Sequence, residues 1–318
     1  MCVKSSKTEN SFYGQRPAVC VIIPCYNAET TIARTLNSVI AQSYPNIEII
    51  LSDDGSSDKS IEVAEKFGDR IKIISSTNQG ACHARNLGLK ATSAEYVLFL
   101  DADDEIQGDY FSEGVRVAEN GSADLVFSPV IYRTAEKIIG VRDIPVMEMD
   151  CHDLFENWLL GTSINPSGLL WRRSFIDDIG RWNENVLIQQ DGELMLRALL
   201  HEPVILQNLR GYGIYYVHNP QSLSGEKSRK KIENYVENIE NFLNEIKGTS
   251  FSTRLAGFED ALYGSAKLAF RAGWKDLGVD ALTLLRTIGP IRHKGSLSHR
   301  VASSILGLEL KMRLFKGR

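Results

Sequence analysis

Apolar and polar positions along the first part of the chain alternate between two periods. Ala18 to Ile23 is an unbroken β-favouring run, and Ala28 to Gln42 then sets Ile32, Leu36, Val39 and Ile40 on one helical face. Ile47 to Leu51 predicts a second strand, followed by a helix with Asp58 at its cap and Ile61, Ala64 and Phe67 turned inward. A strand from Ile71 to Ile74, a helix from about Ala81 to Ala91 and a strand from Tyr96 to Leu100 continue the series. Strands and helices in this order build an α/β fold with a mainly parallel sheet and helices on both faces.

Beyond Gly225 the strand pattern stops. Helical periodicity over Lys230 to Lys247, Arg254 to Ala272 and Lys275 to Thr287 predicts a C-terminal helical appendage. A last helix, Leu297 to Phe315, puts Val301, Ile305, Leu308, Met312 and Phe315 on one face. From Arg292 to Arg318 the chain carries seven Lys or Arg against the single acid Glu309. Two readings compete for this segment: packing on the main domain or a partner subunit, or peripheral contact with an anionic membrane, which is preferred.

In parallel α/β sheets, ligands bind outside the carboxyl ends of the strands. Each early strand ends in a polar cluster there: Pro24-Cys25-Tyr26-Asn27, then Ser52 to Asp58, then Asn78-Gln79-Gly80, then Asp101-Ala102-Asp103-Asp104. Any one cluster is explained as turn chemistry, with Gly55 and Gly80 supplying positive φ. Four at one edge are better explained as one site. Three carboxylates at the end of the fourth strand repel one another unless a cation sits among them, and hard oxygen ligands suit Mg²⁺ or Mn²⁺.

The 318 residues, 43% of them hydrophobic, suffice for one large domain or one with a smaller addition. A formal net charge of -4 argues against a nucleic-acid partner, whose binding surface is basic. The five cysteines show no CxxC pairing and no zinc-type spacing with the six histidines, which fits free thiols in a reducing compartment. No signal-peptide pattern and no span-length apolar stretch is visible, so the expected location is cytoplasmic, with peripheral contact at the inner face of the membrane.

Ile-Ile-Pro-Cys-Tyr-Asn, Asp-Asp-Gly-Ser-Ser-Asp, Asn-Gln-Gly-Ala-Cys-His-Ala-Arg-Asn-Leu-Gly and Asp-Ala-Asp-Asp together resemble the ordered motifs of glycosyltransferase family 2, over roughly Pro17 to Ser224. The resemblance implies the Rossmann-like GT-A fold, inverting transfer of a sugar from a nucleotide-diphosphate donor of the UDP type, and a divalent cation, Mn²⁺ or Mg²⁺. It implies a disordered tail over 1–16, a GT-A domain over 17–225 with a nucleotide-binding half (17–104) and an acceptor half (105–225), and a helical region over 226–318.

By the same resemblance Asp54, with Asp53, meets the base or ribose, and Pro24, Tyr26, Asn27, Asn78, Gly80, Asp101 and Ala102 surround the nucleotide sugar. Arg85 faces the nucleotide, where a guanidinium pairs with the diphosphate or orients a carboxylate. Asp103 becomes the direct metal ligand with Asp101 in support, and His218 a late metal or phosphate ligand.

Gln189 to Arg197 resembles the family's Glu-Asp motif, with Gln190 at the Glu place and Asp191 at the catalytic base. Inversion needs one carboxylate to accept the proton of the attacking hydroxyl. The bland account of Asp191 is a cap for the helix Gly192 to Leu200. Gln190 departs from the pattern, because a neutral amide is no reserve base, and the acceptor contacts stay open. Trp158, Trp171 and Trp182 fall where the family builds its acceptor pocket, with at most one expected to stack on a glycan or lipid-linked acceptor, since most tryptophans are core residues. Asn165 to Gly168 reads as a polar loop beside them.

Two other classes are weighed. A nucleotidyltransferase making sugar nucleotides needs a Gly-rich loop with Arg and Lys after the first strand, and Pro24 to Asn27 has none. A non-catalytic nucleotide- or glycan-binding module would have broken carboxylates, whereas Asp54, Asp103 and Asp191 are intact.

Overall fold

The computed structural model describes residues 16–143, 149–160, 165–217 and 228–289. Its elements run β1 (Val19–Cys25), α1 (Ile32–Ile40), β2 (Ile47–Asp53), α2 (Ser60–Glu65), β3 (Lys72–Ser75), α3 (Ala81–Lys90) and β4 (Tyr96–Phe99). There follow β5 (Glu105–Gly108), α4 (Tyr110–Gly121), β6 (Leu125–Phe127), β7 (Val130–Arg133), β8 (Ile138–Arg142), α5 (Cys151–Leu159), β9 (Leu169–Arg172), α6 (Arg173–Asp178), α7 (Gln190–Leu200), β10 (Ile205–Gln207) and β11 (Gly211–Tyr216).

A seven-stranded sheet in the order β10-β6-β9-β4-β1-β2-β3 forms the centre. All its pairings are parallel except those of β9, which runs antiparallel to β4 and β6. Strand β1 is covered on both faces, which explains its continuous apolar run. Cys20 and Ile22 enter one core with α3, α6 and α7, while Val19, Val21 and Ile23 enter a second with α1 and α4. The expected α/β architecture is therefore present.

The sequence did not suggest a second sheet, β5-β11-β7-β8. Its strand β5 begins directly after Asp104 and pairs antiparallel with β11, so the acidic turn is anchored to a distant part of the chain. Gly108, at φ +73°, ends β5 where a Cβ would lie 2.3 Å from the Arg210 carbonyl oxygen, a contact only glycine permits.

The C-terminal residues form α8 (Arg229–Glu245), α9 (Ala256–Ala272) and α10 (Lys275–Ile288). The Ser228 side chain caps α8 by accepting from the Lys231 N–H, and Ile232, Val236, Ile239 and Phe242 are buried along one face. Phe251 and Phe258 pack on Phe155 of α5 at centroid distances of 5.0 and 6.2 Å, so these helices share the core of the sheet domain instead of standing apart as an appendage. Among the described residues no helix is long and apolar enough to cross a membrane. The expected helix over 297–315 and the tail before Arg16 lie outside the described residues.

Candidate active site

The loops after β1, β2 and β3 are knitted by their own polar side chains. Asn27, in the left-handed region at φ +52°, accepts from the Ser57 N–H through Oδ1 at 2.8 Å, and its own N–H donates to Ser56 Oγ at 3.0 Å. Asp53 accepts from the N–H groups of Gly55 (3.3 Å) and Ser56 (3.1 Å), which makes it the clamp of the turn. The two oxygens of Asp54 accept from the Gln79 and Gly80 N–H groups, each at 2.8 Å, tying the β2 loop to the start of α3. Each keeps a lone pair to offer a ligand.

Pro24, Tyr26, Asn27, Asp54, Arg85, Asp101, Ala102 and Asp103 line one open cavity of about 370 Å³, joined by Thr30, Thr31 and Ala81. Most of the expected nucleotide-site residues thus meet. Asp53, Asn78 and Gly80 do not line the cavity: Asp53 and Gly80 brace its walls from behind. Thr30 and Thr31 carried no signal in the sequence beyond their place after Asn27.

The acidic turn is held from α1. Thr35 Oγ1 donates to the Ala102 carbonyl at 3.0 Å, and Arg34 donates to the Asp103 carbonyl at 2.6 Å while pairing with Glu105 at 3.0 Å and covering the Tyr216 ring. Asp104 turns away from the cavity. It is fully buried, accepts from the Tyr216 N–H at 3.2 Å through Oδ1, and leaves Oδ2 without a hydrogen-bond partner among the described residues. Burial, then Asp101 and Asp103, push its pKa well above the carboxylate range.

Asp101 and Asp103 remain as hard oxygen donors on the cavity wall. Among the described residues no three metal-ligating side chains converge. Mg²⁺-type sites formed by one or two carboxylates, substrate phosphates and water need no such cage, so this donor set fits the expected cation.

Arg85 is part of this wall yet only 4% exposed. It donates to Asp101 Oδ1 at 2.7 Å and to Gln190 Oε1 at 3.3 Å, and its guanidinium stacks over the Trp182 ring at 4.3 Å. Burial works against its charge, but Asp101 and Asp191 outweigh that and raise its pKa. The contact with Asp101 is the carboxylate-orienting task expected of it, and its place on the cavity wall leaves it beside the expected diphosphate position.

Asp191 occupies the second position of α7 and is no cap; Gln189, at φ +58°, precedes the helix. Burial raises the Asp191 pKa, Arg85 pulls it back, and Asp101 adds to the rise. Gln190 is spent between Arg85 and the Val186 carbonyl, to which it donates at 3.0 Å, and Glu193 pairs with Arg197 at 2.8 Å. Asp191 and Glu193 both border open space, but Glu193 is held by Arg197. Asp191 borders two adjoining cavities of about 430 and 690 Å³, the first walled by Tyr132, Trp158, Asn165, Tyr215, Tyr235 and Asn238.

The tryptophan expectations need correction. Trp171 is 1% exposed on β9, stacked on Phe175, and Trp182 is 3% exposed between Arg85 and the edge of Phe99, so neither has a free face for a sugar. Trp158 lines the acceptor-side cavity, as does Asn165 of the expected polar loop. His218 lies outside the described residues. Tyr235 and Asn238 of α8 were missed, because helical periodicity marks a packed face without saying that part of it borders a cavity.

Residues 20–180 match the sequence model of the family described as glycosyl transferase family 2. The chain belongs to glycosyltransferase family 2. It is 32% identical over 191 residues to the amylovoran biosynthesis glycosyltransferase AmsB of Erwinia amylovora, covering 56% of this chain and 62% of that protein. The chain spans less than two thirds of the length of the curated relatives it matches first. The crystal structure of S. aureus TarS 1-349 in complex with UDP-GlcNAc has a similar fold, with a TM-score of 0.69 at 19% identity over 86% of this chain and 82% of that one. The mannosyltransferase PcManGT of Pyrobaculum calidifontis, solved in complex with GDP-Man and Mn²⁺, gives 0.55 at 15% identity over 95% and 84%. Both likenesses establish the GT-A fold family of the sheet domain.

Proposed function

We propose that this chain moves a sugar, with inversion, from a nucleoside-diphosphate donor of the UDP type to a hydroxyl of a glycan or lipid-linked acceptor. The observation that carries the reading is the place of Asp191. It borders cavities of ligand size and is coupled through the Arg85 cation to Asp101 on the wall of a separate polar pocket. The name of AmsB supports a biosynthetic polysaccharide context, and the UDP-GlcNAc bound to TarS supports a UDP-sugar donor.

In this reading Pro24, Tyr26, Asn27, Asp54 and Ala102 hold the nucleotide, and Asp101 and Asp103 hold the cation. A divalent ion held there would neutralise the charge of the departing diphosphate, and the mannosyltransferase PcManGT was solved with Mn²⁺. The acceptor hydroxyl attacks the anomeric carbon as the bond to the diphosphate oxygen breaks. Asp191 takes the hydroxyl proton, and its raised pKa makes it a stronger base than an ordinary carboxylate. Arg85 keeps Asp101 and the start of α7 in register.

The catalytic unit is assigned to residues 17–225 and the helical region to 226–318, of which the described helices over residues 228–289 pack on the sheet domain. Peripheral attachment to the inner face of an anionic membrane is supported by the seven Lys or Arg of 292–318 and the apolar positions Val301, Ile305, Leu308, Met312 and Phe315, and equal binding to neutral and anionic vesicles would remove it. The main test is a panel of nucleotide sugars scored for release of nucleoside diphosphate with and without Mn²⁺. Metal-dependent release from a UDP-sugar, stimulated by a glycan acceptor, is expected. Full activity in excess chelator, or no release from any donor, would overturn the assignment.

A further inference from the structure

Two features of the space around Asp191 are not explained by the transfer step itself. The cavity is double, and one helix pair supplies much of its wall. The two lobes share Ile188, Gln189, Asp191, Tyr235 and Ala261, so the carboxylate stands where the two halves of the trough adjoin. Each lobe alone falls in the roughly 300–1,000 Å³ range that accommodates a whole small ligand. A single sugar ring beside Asp191 would leave the other lobe to water, which competes with the acceptor for the donor.

The lining has the chemistry of a glycan site. Half-buried Tyr132, Tyr215 and Tyr235 offer aromatic surface for the apolar faces of sugar rings, and Asn165 and Asn238 offer amides for hydroxyls. Burial raises the Tyr235 pKa, which keeps its hydroxyl a neutral donor. The second lobe is walled by α8 and α9, where Gly264 faces space: a Cβ built there meets nothing within 4 Å. A glycine in mid-helix is unfavourable, by about 1 kcal/mol relative to alanine, and no close approach requires this one. Its effect is to deepen the lobe.

We infer that the α8–α9 wall makes this trough a site for an oligosaccharide acceptor of two or more sugar units, lying across Asp191 with a further unit seated in the lobe beside Gly264. The inference rests on the transferase reading for the meaning of "acceptor", but its test does not need turnover.

Malto-, cello- and chito-oligosaccharides of one to six units serve as probes, with binding measured by saturation-transfer NMR and calorimetry on the whole chain. Wild type should bind one series at least tenfold more tightly as a longer oligomer than as its monosaccharide. Gly264→Ala should keep that gain, and Gly264→Phe, which fills the lobe, should erase it without changing UDP affinity. Should Gly264→Phe lower the melting temperature, Gly264→Gln, which extends a polar helix-compatible side chain into the same lobe, takes its place, with the gain of the longest oligomer over the monosaccharide expected to fall at least fivefold. Binding of no series, affinity independent of length, or a gain that survives both substitutions would overturn the inference. Failure of the transferase reading would show separately, as intact oligosaccharide binding with no release of nucleoside diphosphate from any nucleotide sugar.

Discussion

Arg85 holds Asp101 at 2.7 Å from a position that solvent barely reaches. The same guanidinium donates to Gln190, the residue before Asp191, so one buried cation touches both the acidic turn and the start of α7. Its own backing is the Trp182 ring, which explains why an aromatic residue near the site is buried and not exposed.

The first prediction follows from that contact. Asp191 must be ionised to accept a proton, so transfer falls as pH drops through its folded-state pKa, which burial sets above the ordinary carboxylate value and Arg85 partly lowers. Arg85→Met removes the lowering influence. The acid limb of log kcat/KM against pH should move upward, with a loss of about tenfold at pH 6 that shrinks as pH rises. An unmoved acid limb would mean that Arg85 does not act on the base.

Asp191→Asn keeps the shape and removes the proton acceptor. Transfer should fall by about 10²–10⁴-fold, the usual scale for losing a general base, with UDP affinity by calorimetry little changed. Lost UDP binding with unimpaired transfer in the residual complex would make Asp191 a nucleotide ligand instead.

Asp103→Ala should abolish metal-dependent release of nucleoside diphosphate and weaken Mn²⁺ binding by calorimetry, while the melting temperature stays close to wild type. The Asp103 carbonyl, which Arg34 uses to hold the turn, survives the substitution. Unaltered Mn²⁺ binding would move the cation elsewhere.

Asp104 makes a stability prediction. Its folded-state pKa is raised, so the native state holds a proton that the unfolded chain releases, and wild-type stability declines as pH rises above the unfolded value of about 4 towards the folded one. Asp104→Asn keeps an acceptor for the Tyr216 N–H and cannot ionise. Without metal, its melting temperature should exceed wild type by roughly 2–4 °C at pH 8, the change that about 1 kcal/mol produces in larger domains, and the gap should close towards pH 4. A gap that is constant with pH would show that Asp104 does not titrate in this range.

The sheet and the edge that bears the site were legible because strands buried on both faces leave unbroken apolar runs that stop where the chain reaches solvent. That is why Pro24, Asp54, Asp101 and Asp103 meet. Distinguishing Asp53 from Asp54 was not possible from adjacency: one clamps its own turn, and the other reaches Gln79 and Gly80, loop geometry that residue type does not encode. Trp171 and Trp182 misled because aromatic residues serve cores and ligands alike. The second sheet was hidden by short strands, β5 and β11, that pair across a long sequence separation.

Gly257 of α9 lies so close to α5 that a Cβ would come within 2.2 Å of the Leu159 Cβ and 2.6 Å of the Leu159 carbonyl carbon. The contact is backbone against side chain with no slack. A chimera that exchanges only the residues after Ser228 for those of another family member must match that contour atom for atom, or α9 will tilt and carry Ala261 and Gly264 with it. Grafting one member's polymer preference onto another therefore calls for a cassette that includes α5, and the chain's modularity ends at a glycine.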